Sequence, residues 1–170
     1  MGLAGLQQAL ARLYTDAGAR DQLRADPAAF ALRHGLSIKE VEALALLPGI
    51  DDFAAALFRK RSGEALRAMP LLREVLGARL GPLFTRYAAA VPPGSNRTPA
   101  LDALAFLEWL RRESPGMLSR EERDAARYAE AWLAIHHGGS WFLIRRLRLP
   151  GKNRAWLFWW RWRGRIFHRS

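Results

Sequence analysis

The sequence of 170 residues contains no cysteine. The chain therefore forms no disulfide, offers no thiolate to a metal ion and has no thiol redox chemistry. No apolar run approaches the roughly eighteen residues that a membrane-spanning helix needs. The amino-terminal segment lacks the basic stretch and following apolar core of a signal peptide. From these absences we expect a cytoplasmic protein without a membrane span.

Motifs of common catalytic sites are absent as well. The sequence contains no G-x-S-x-G nucleophile elbow, no P-loop and no G-x-G-x-x-G dinucleotide-binding pattern. His136 and His137 would point about 100° apart on a helix, so they are poorly placed to share one metal ion. We interpret this pair as the carboxyl end of a helix, where positive charge is favourable. The sequence predicts that the chain is not an enzyme by itself and holds no metal or cofactor.

Acidic residues are missing from the last thirty residues, 141–170, which we call the basic tail. The tail contains nine of the 27 Lys and Arg residues and five of the seven Trp residues. The net charge is +11 for the whole chain and +2 for the first 140 residues, so nearly all of the excess lies in the tail. Nine cations without a carboxylate repel one another unless an anionic partner compensates them. The tail is therefore a candidate docking element.

The basic tail has the pattern of a β-hairpin. Apolar residues partly alternate with arginines over 143–149, and an aromatic run follows over 156–162. The residues between them, Pro150–Asn153, supply turn chemistry. Gly164 can turn the chain once more, which leaves 165–168 as a short third strand. Because an isolated hairpin is marginally stable in water, we expect this one to pack on the rest of the chain or on a partner.

Three kinds of anionic partner fit the tail. They are an acidic peptide added as an extra strand, a nucleic-acid backbone and an anionic membrane surface. In a further interpretation the Trp and Leu side chains are simply core, and the arginines prevent self-pairing of an edge strand. The candidate residues for binding a peptide or partner are Arg145, Arg146, Arg148, Lys152 and Arg154, which would pair with acids, and Trp156, Trp159 and Trp160, which would be anchors.

The first 139 residues carry helical signals throughout. Leucines at 3, 6, 10 and 13 recur at helical spacing. Asp26-Pro27 is a helix start, and Ser37–Glu40 and Ser119–Glu122 are capping boxes. The predicted helices cover 3–15, 16–24, 27–34, 38–47, 51–61, 64–68, 71–76, 83–90, a segment from Pro99, and 120–135. We predict a mainly α fold, with a helical domain of short helices over 1–139 and a β-hairpin or small antiparallel sheet over 140–170.

Two stretches resemble known proteins. Residues 20–46 resemble a small helical module of the alpha subunits of ring-cleaving dioxygenases and of some peptide leaders. An ordered set of segments resembles the helical partner proteins of multinuclear non-haem iron oxidases, which modify cysteine-containing ribosomal peptides. That group includes the methanobactin-synthesis partner subunit, and related domains carry a DNA-binding label. The segments are 58–61, 69–77, 84–87, 92–93 and 102–107.

The second resemblance implies a non-catalytic subunit. Such a subunit binds an iron-dependent oxidase and helps to hold the leader of a ribosomally made precursor peptide. The iron ligands would then belong to the oxidase. The basic tail would be the place for strand addition of the leader, although the resemblance assigns no role to individual tail residues. The expected partners are therefore the oxidase subunit and the leader, with nucleic acid as the alternative.

Overall fold

The computed structural model describes residues 3–93, 98–113, 116–148, 154–162 and 165–169. Helices form most of the described chain and are followed by a three-stranded antiparallel sheet, which confirms the predicted mainly α fold class. Contacts group the chain into two compact units, Met1–Arg61 and Ser62–Ser170. The predicted division into 1–139 and 140–170 concerns independent folding and stays a prediction.

The first unit contains α1 (Leu3–Thr15), α2 (Ala17–Ala25), α3 (Pro27–His34), α4 (Ile38–Ala45) and the beginning of α5 (Ile50–Arg67). Local capping chemistry places these helices. The Asp16 carboxylate accepts a hydrogen bond from the Ala19 N–H at 3.2 Å, as an N-cap does. Ser37 and Glu40 form the predicted reciprocal capping box. Gly35 ends α3 in the left-handed conformation with φ of 63°, which glycine adopts without steric strain.

The core of the first unit is formed by the apolar faces of α1 to α4. Its buried residues are Ala9, Leu13, Ala19, Leu23, Phe30, Ala31, Leu36, Val41 and Leu44. Asp51, in the first turn of α5, forms ion pairs with Arg20 and Arg24. In the first pair, Arg20 Nε lies 3.0 Å from Asp51 Oδ1. A carboxylate in this position also interacts favourably with the helix dipole.

The second unit contains the end of α5, then α6 (Pro70–Leu76), a 3-10 turn (Gly77–Arg79), α7 (Leu80–Ala90), α8 (Pro99–Glu113) and α9 (Arg120–His137). Two predicted boundaries are corrected. The helix α5 is continuous through Gly63, because a glycine inside a helix costs only about 1 kcal/mol and does not terminate it. The helix α7 begins at Leu80, because Pro82 lies in the first turn, where backbone N–H groups need no intrahelical acceptor.

Two buried carboxylates connect elements of the second unit. Tyr87 on α7 donates its hydroxyl proton to Asp102 Oδ1 on α8 at 2.7 Å. Glu122 closes the predicted capping box of α9 with Ser119 and also pairs with Arg79. Buried polar groups are tolerated when they are hydrogen-bonded in this way.

The sheet consists of β1 (Phe142–Arg148), β2 (Arg154–Trp162) and β3 (Arg165–Arg169) in the order β1-β2-β3. The hairpin and the short third strand are therefore present as predicted, with β2 in the centre. The predicted turns at Pro150–Asn153 and at Gly164 lie outside the described residues, as does most of the predicted loop at 92–97.

Candidate binding surface

The sheet has one face toward α9 and one face toward solvent. Leu147, Leu157 and Trp159 are buried with Ala131 and Ile135 of α9. Since successive side chains of a strand point to opposite faces, the odd-numbered residues of β1 and β2, with Ile166 of β3, form the face on α9, which we call the inner face. The inner face gives the sheet the packing that an isolated hairpin lacks.

The opposite face, which we call the outer face, combines apolar side chains with arginines and has no acid among its described residues. The pairing register places its members side by side, with Arg146 opposite Trp156 and Trp160 opposite Phe167. Its members are Phe142, Ile144, Arg146, Arg148, Trp156, Phe158, Trp160, Trp162, Arg165, Phe167 and Arg169. This composition favours an anionic partner that also offers apolar or aromatic groups.

Large apolar side chains are unusually accessible on the outer face. Trp156 and Trp162 are 55% and 64% exposed, whereas tryptophan is highly buried on average. The rings of Trp160 and Phe167 are stacked, with 5.5 Å between centroids and 15° between planes. The Arg146 guanidinium lies 5.8 Å from the centre of the Trp156 ring, within the range of a cation–π contact. Exposed aromatic rings next to cations are typical of interaction sites.

Among the described strands, β1 is paired on one side only, with β2. The Arg161 N–H donates to the Trp141 carbonyl oxygen at 2.8 Å. In an antiparallel ladder this pairing turns the backbone groups of odd-numbered β1 residues toward β2. The N–H and C=O groups of Phe142, Ile144 and Arg146 therefore point away from β2. We call this side of β1, from residue 142 to residue 146, the open edge.

The open edge ends at Arg148. The Arg148 N–H donates to Asp124 Oδ2 of α9 at 3.1 Å, and the Ile144 carbonyl oxygen accepts a hydrogen bond from Arg145 Nη1 at 3.0 Å. Within the described part of the chain, the N–H groups of Phe142, Ile144 and Arg146 have no hydrogen-bond acceptor. Such unpaired groups are what an added strand uses.

The structure divides the predicted site residues between the two faces. Arg146, Arg148, Trp156 and Trp160 share the outer face, and the backbone of Arg154 pairs with that of Arg148. Arg145 is half-buried on the inner face. Lys152 lies outside the described residues. The remaining candidate, Trp159, is fully buried, so its prediction as an anchor for a partner is corrected.

Trp159 stabilises the sheet on α9. Its ring meets that of Tyr128 edge-on, with 5.6 Å between centroids. Burial in this contact raises the pKa of the Tyr128 hydroxyl above its usual value. Trp159 is therefore part of the core.

Several members of the outer face were not among the residues predicted to bind a peptide or partner. Phe142, Ile144, Trp162 and Phe167 are 37 to 64% exposed and share the face with the predicted arginines. Strand parity was the available signal, because the even-numbered positions of β1 and β2 share one face. Which parity faces solvent depends on packing against α9, and the sequence of the strands does not contain that information.

The histidine pair ends α9 as expected from the sequence. His136 Nδ1 lies 2.8 Å from the Trp132 carbonyl oxygen. The imidazole of His136 stacks on the indole of Trp132 with 3.8 Å between centroids. Across the described ranges, no group of three or more His, Asp or Glu side chains is arranged to hold a metal ion. None of the helices described is both long enough and apolar enough to cross a membrane.

Comparison with known proteins gives a family match over part of the chain. A family model described as the SCO6045-like C-terminal domain matches residues 50–112. The matched region covers α5 to α7 and α8 as far as Arg112, which is less than half of the chain and includes none of the sheet. No curated protein and no solved structure gave a match.

Proposed function

We propose that this chain is a non-catalytic partner subunit of an iron-dependent oxidase that modifies ribosomally made peptides. In this proposal the sheet binds the leader of the precursor peptide, and the oxidase supplies the iron and the chemistry. The observation that carries the proposal is the open edge of β1 next to an outer face without acids. An extended peptide can pair with such an edge through its backbone and with the arginines through its side chains.

Each part of the surface has a physical role in this proposal. The N–H groups of Phe142 and Arg146, which have no acceptor among the described residues, donate to carbonyl oxygens of the leader. The guanidinium groups of Arg146 and Arg148 pair with acidic leader residues, for which arginine offers two parallel hydrogen bonds. Trp156, beside Arg146, adds apolar contact area.

The helices α5 to α8 are the proposed docking region for the oxidase. The segments that resemble oxidase partner proteins lie between residues 58 and 107, within the region 50–112 that matches the family model. The description of the matching family names no function. The oxidase is therefore proposed as a partner only because these segments resemble oxidase partner proteins. The oxidase would then contact helices outside the sheet that binds the peptide.

A co-expression experiment tests this proposal. The tagged full-length chain is produced with the oxidase and precursor peptide encoded by neighbouring genes, and the purified complex is analysed for both. We expect Arg146→Glu/Arg148→Glu to weaken precursor binding at least about tenfold, because two attractive charge pairs with the leader become repulsive. The oxidase should still co-purify with this variant.

The matched control is Arg33→Glu/Lys39→Glu, which makes the same charge change at two exposed positions of the first unit. It should bind the precursor as the unchanged chain does, and circular dichroism should be the same for all three proteins. Absence of any iron-containing enzyme from the complex would contradict the partner role. Equal loss of peptide in both variants would contradict the proposed use of the β1 arginines.

Single-stranded nucleic acid is a second candidate ligand, favoured by the exposed Trp156 and Trp162 rings on a face with arginines. Bases stack on such rings, and phosphates pair with the cations. The discriminating measurement is the salt dependence of binding to a labelled oligonucleotide. For phosphate contacts, log K falls linearly with log salt concentration. If only nucleic acid co-purifies with the chain and high salt removes it, the peptide proposal is wrong.

A further inference from the structure

The side chains that border the open edge change character along β1. On the outer face, Phe142 and Ile144 are followed by Arg146 and Arg148. The first two are 44% and 37% exposed, and both arginines are exposed. One half of the edge is therefore apolar and the other half is cationic.

The contact with α9 limits the length of chain that can pair with β1. The Asp124 carboxylate occupies the Arg148 N–H, so strand addition stops before residue 148. The Asp124 side chain is only 8% exposed, and its Oδ1 lies 3.7 Å from Nη1 of Arg127, one turn further along α9. The available stretch runs from Phe142 to Arg146, and a partner strand of about five residues covers it at the usual rise of about 3.3 Å per residue.

We infer that the open edge selects a leader segment in which every second residue lies on the outer face. These residues are apolar in one half of the segment and acidic in the other half, a pattern that we call segregated. This inference rests on the proposed function. Residues directly opposite each other on neighbouring strands share a face and interact. Apolar leader side chains therefore lie beside Phe142 and Ile144, and an acidic one lies beside Arg146. A second acidic residue, just beyond the paired stretch, can reach the exposed Arg148 side chain. A leader in which the two kinds are interleaved places at least one carboxylate beside an apolar side chain.

The other edge of the sheet does not offer this arrangement. The backbone groups of β3 that point away from β2 belong to Ile166 and His168 among the described residues. The outer-face side chains along β3 are Arg165, Phe167 and Arg169, in which an apolar residue separates two cations. A segregated peptide matches β1 and not β3.

Two labelled peptides of the same composition test the inference with the full-length chain. In the segregated peptide, two valines are followed by two glutamates, with serines between them, so that the second glutamate lies beyond the paired stretch, next to the Arg148 side chain. In the interleaved peptide, valine and glutamate take turns at the same positions. We expect the segregated peptide to bind at least about fivefold more tightly in fluorescence anisotropy, because more of its cross-strand pairs are favourable.

Two variants assign the preference to β1. Arg146→Glu/Arg148→Glu should remove the preference, and a segregated peptide with lysines in place of glutamates should restore binding to this variant. Arg165→Glu/Arg169→Glu makes the same charge change on the same face along β3 and should keep the preference.

The outcomes separate this inference from the proposed function. Equal affinity for the two peptides, together with binding of the whole precursor, overturns the inference and leaves the proposed function intact. Failure of the precursor itself to bind overturns the proposed function. Loss of the preference in the β3 variant, to the same extent as in the β1 variant, would also overturn the inference, since the arginines would then act only through total charge.

Discussion

Trp159 lies on the inner face of the sheet and contacts Tyr128, while the next residue, Trp160, lies on the outer face and stacks on Phe167. One position along a strand reverses the direction of a side chain. The two residues share chemistry and neighbourhood in the sequence, and they differ in what surrounds them. Their roles, core and surface, follow from that difference.

A pair of tryptophan substitutions tests this division. Trp159→Ala is expected to lower the free energy of unfolding by about 3–5 kcal/mol, because it removes a fully buried ring and leaves a cavity. Trp156→Ala, at a position that is 55% exposed, should change it by less than about 1 kcal/mol. Urea denaturation followed by circular dichroism measures both values. Similar losses for the two variants would contradict the assignment of the faces.

Trp159→Phe is an informative intermediate. Trp159 Nε1 is buried and has no hydrogen-bond partner in the described part of the chain, and an unsatisfied buried donor is destabilising. Phenylalanine keeps much of the apolar contact and removes this donor. The loss of stability should therefore be smaller than for alanine.

Most helices of this chain are recognisable at the scale of the single element. The capping boxes at Ser37 and Ser119 act within four residues, so their chemistry is contained in the local sequence. The helix end predicted near Gly63 was wrong, and the cause is again local. Glycine weakens a helix without ending it, and the helical signal on both sides of Gly63 continues through it.

Two glycines, one inside α5 and one at the end of α9, should respond oppositely to alanine. Gly63→Ala is expected to raise the free energy of unfolding by about 0.5–1 kcal/mol, because an added Cβ would meet no atom within 4 Å. Gly138→Ala should lower it, because the added Cβ would lie 2.6 Å from the Ala134 carbonyl oxygen. Thermal and urea denaturation of the two variants measure the sign of each change. A destabilising Gly63→Ala would contradict the continuous α5.

At the scale of the whole molecule, the sheet shares a core with α9 and the helical cluster of the first unit has its own. The buried residues of that cluster all lie between Ala9 and Leu44. The inner face of the sheet is instead buried with Ala131 and Ile135. Most of the excess positive charge of the chain therefore lies on the sheet, whose inner face is buried against α9.

A truncation ending at Gly139 tests whether residues 1–139 keep their stability without the sheet. Removal of Leu147, Leu157 and Trp159 exposes the apolar side chains of α9 that they cover. We expect a loss of more than about 3 kcal/mol from the transition that includes α9, since each large buried side chain contributes about 1.5–3 kcal/mol. Thermal unfolding and amide hydrogen exchange of α9 are the measurements. Unchanged protection of α9 would support the division into domains 1–139 and 140–170.

The local sequence of this protein determined its helices, its strands and the location of its positive charge. Caps, helical periodicity and turn residues act over a few positions, so they can be recognised without knowledge of the fold. The tertiary structure alone decided which tail residues face solvent and where β1 is open. The inner face is chosen by packing of Leu157 and Trp159 on α9, and the open edge ends where Asp124 reaches Arg148. Both contacts join residues far apart in the chain, which is why the order of amino acids in the tail did not reveal them.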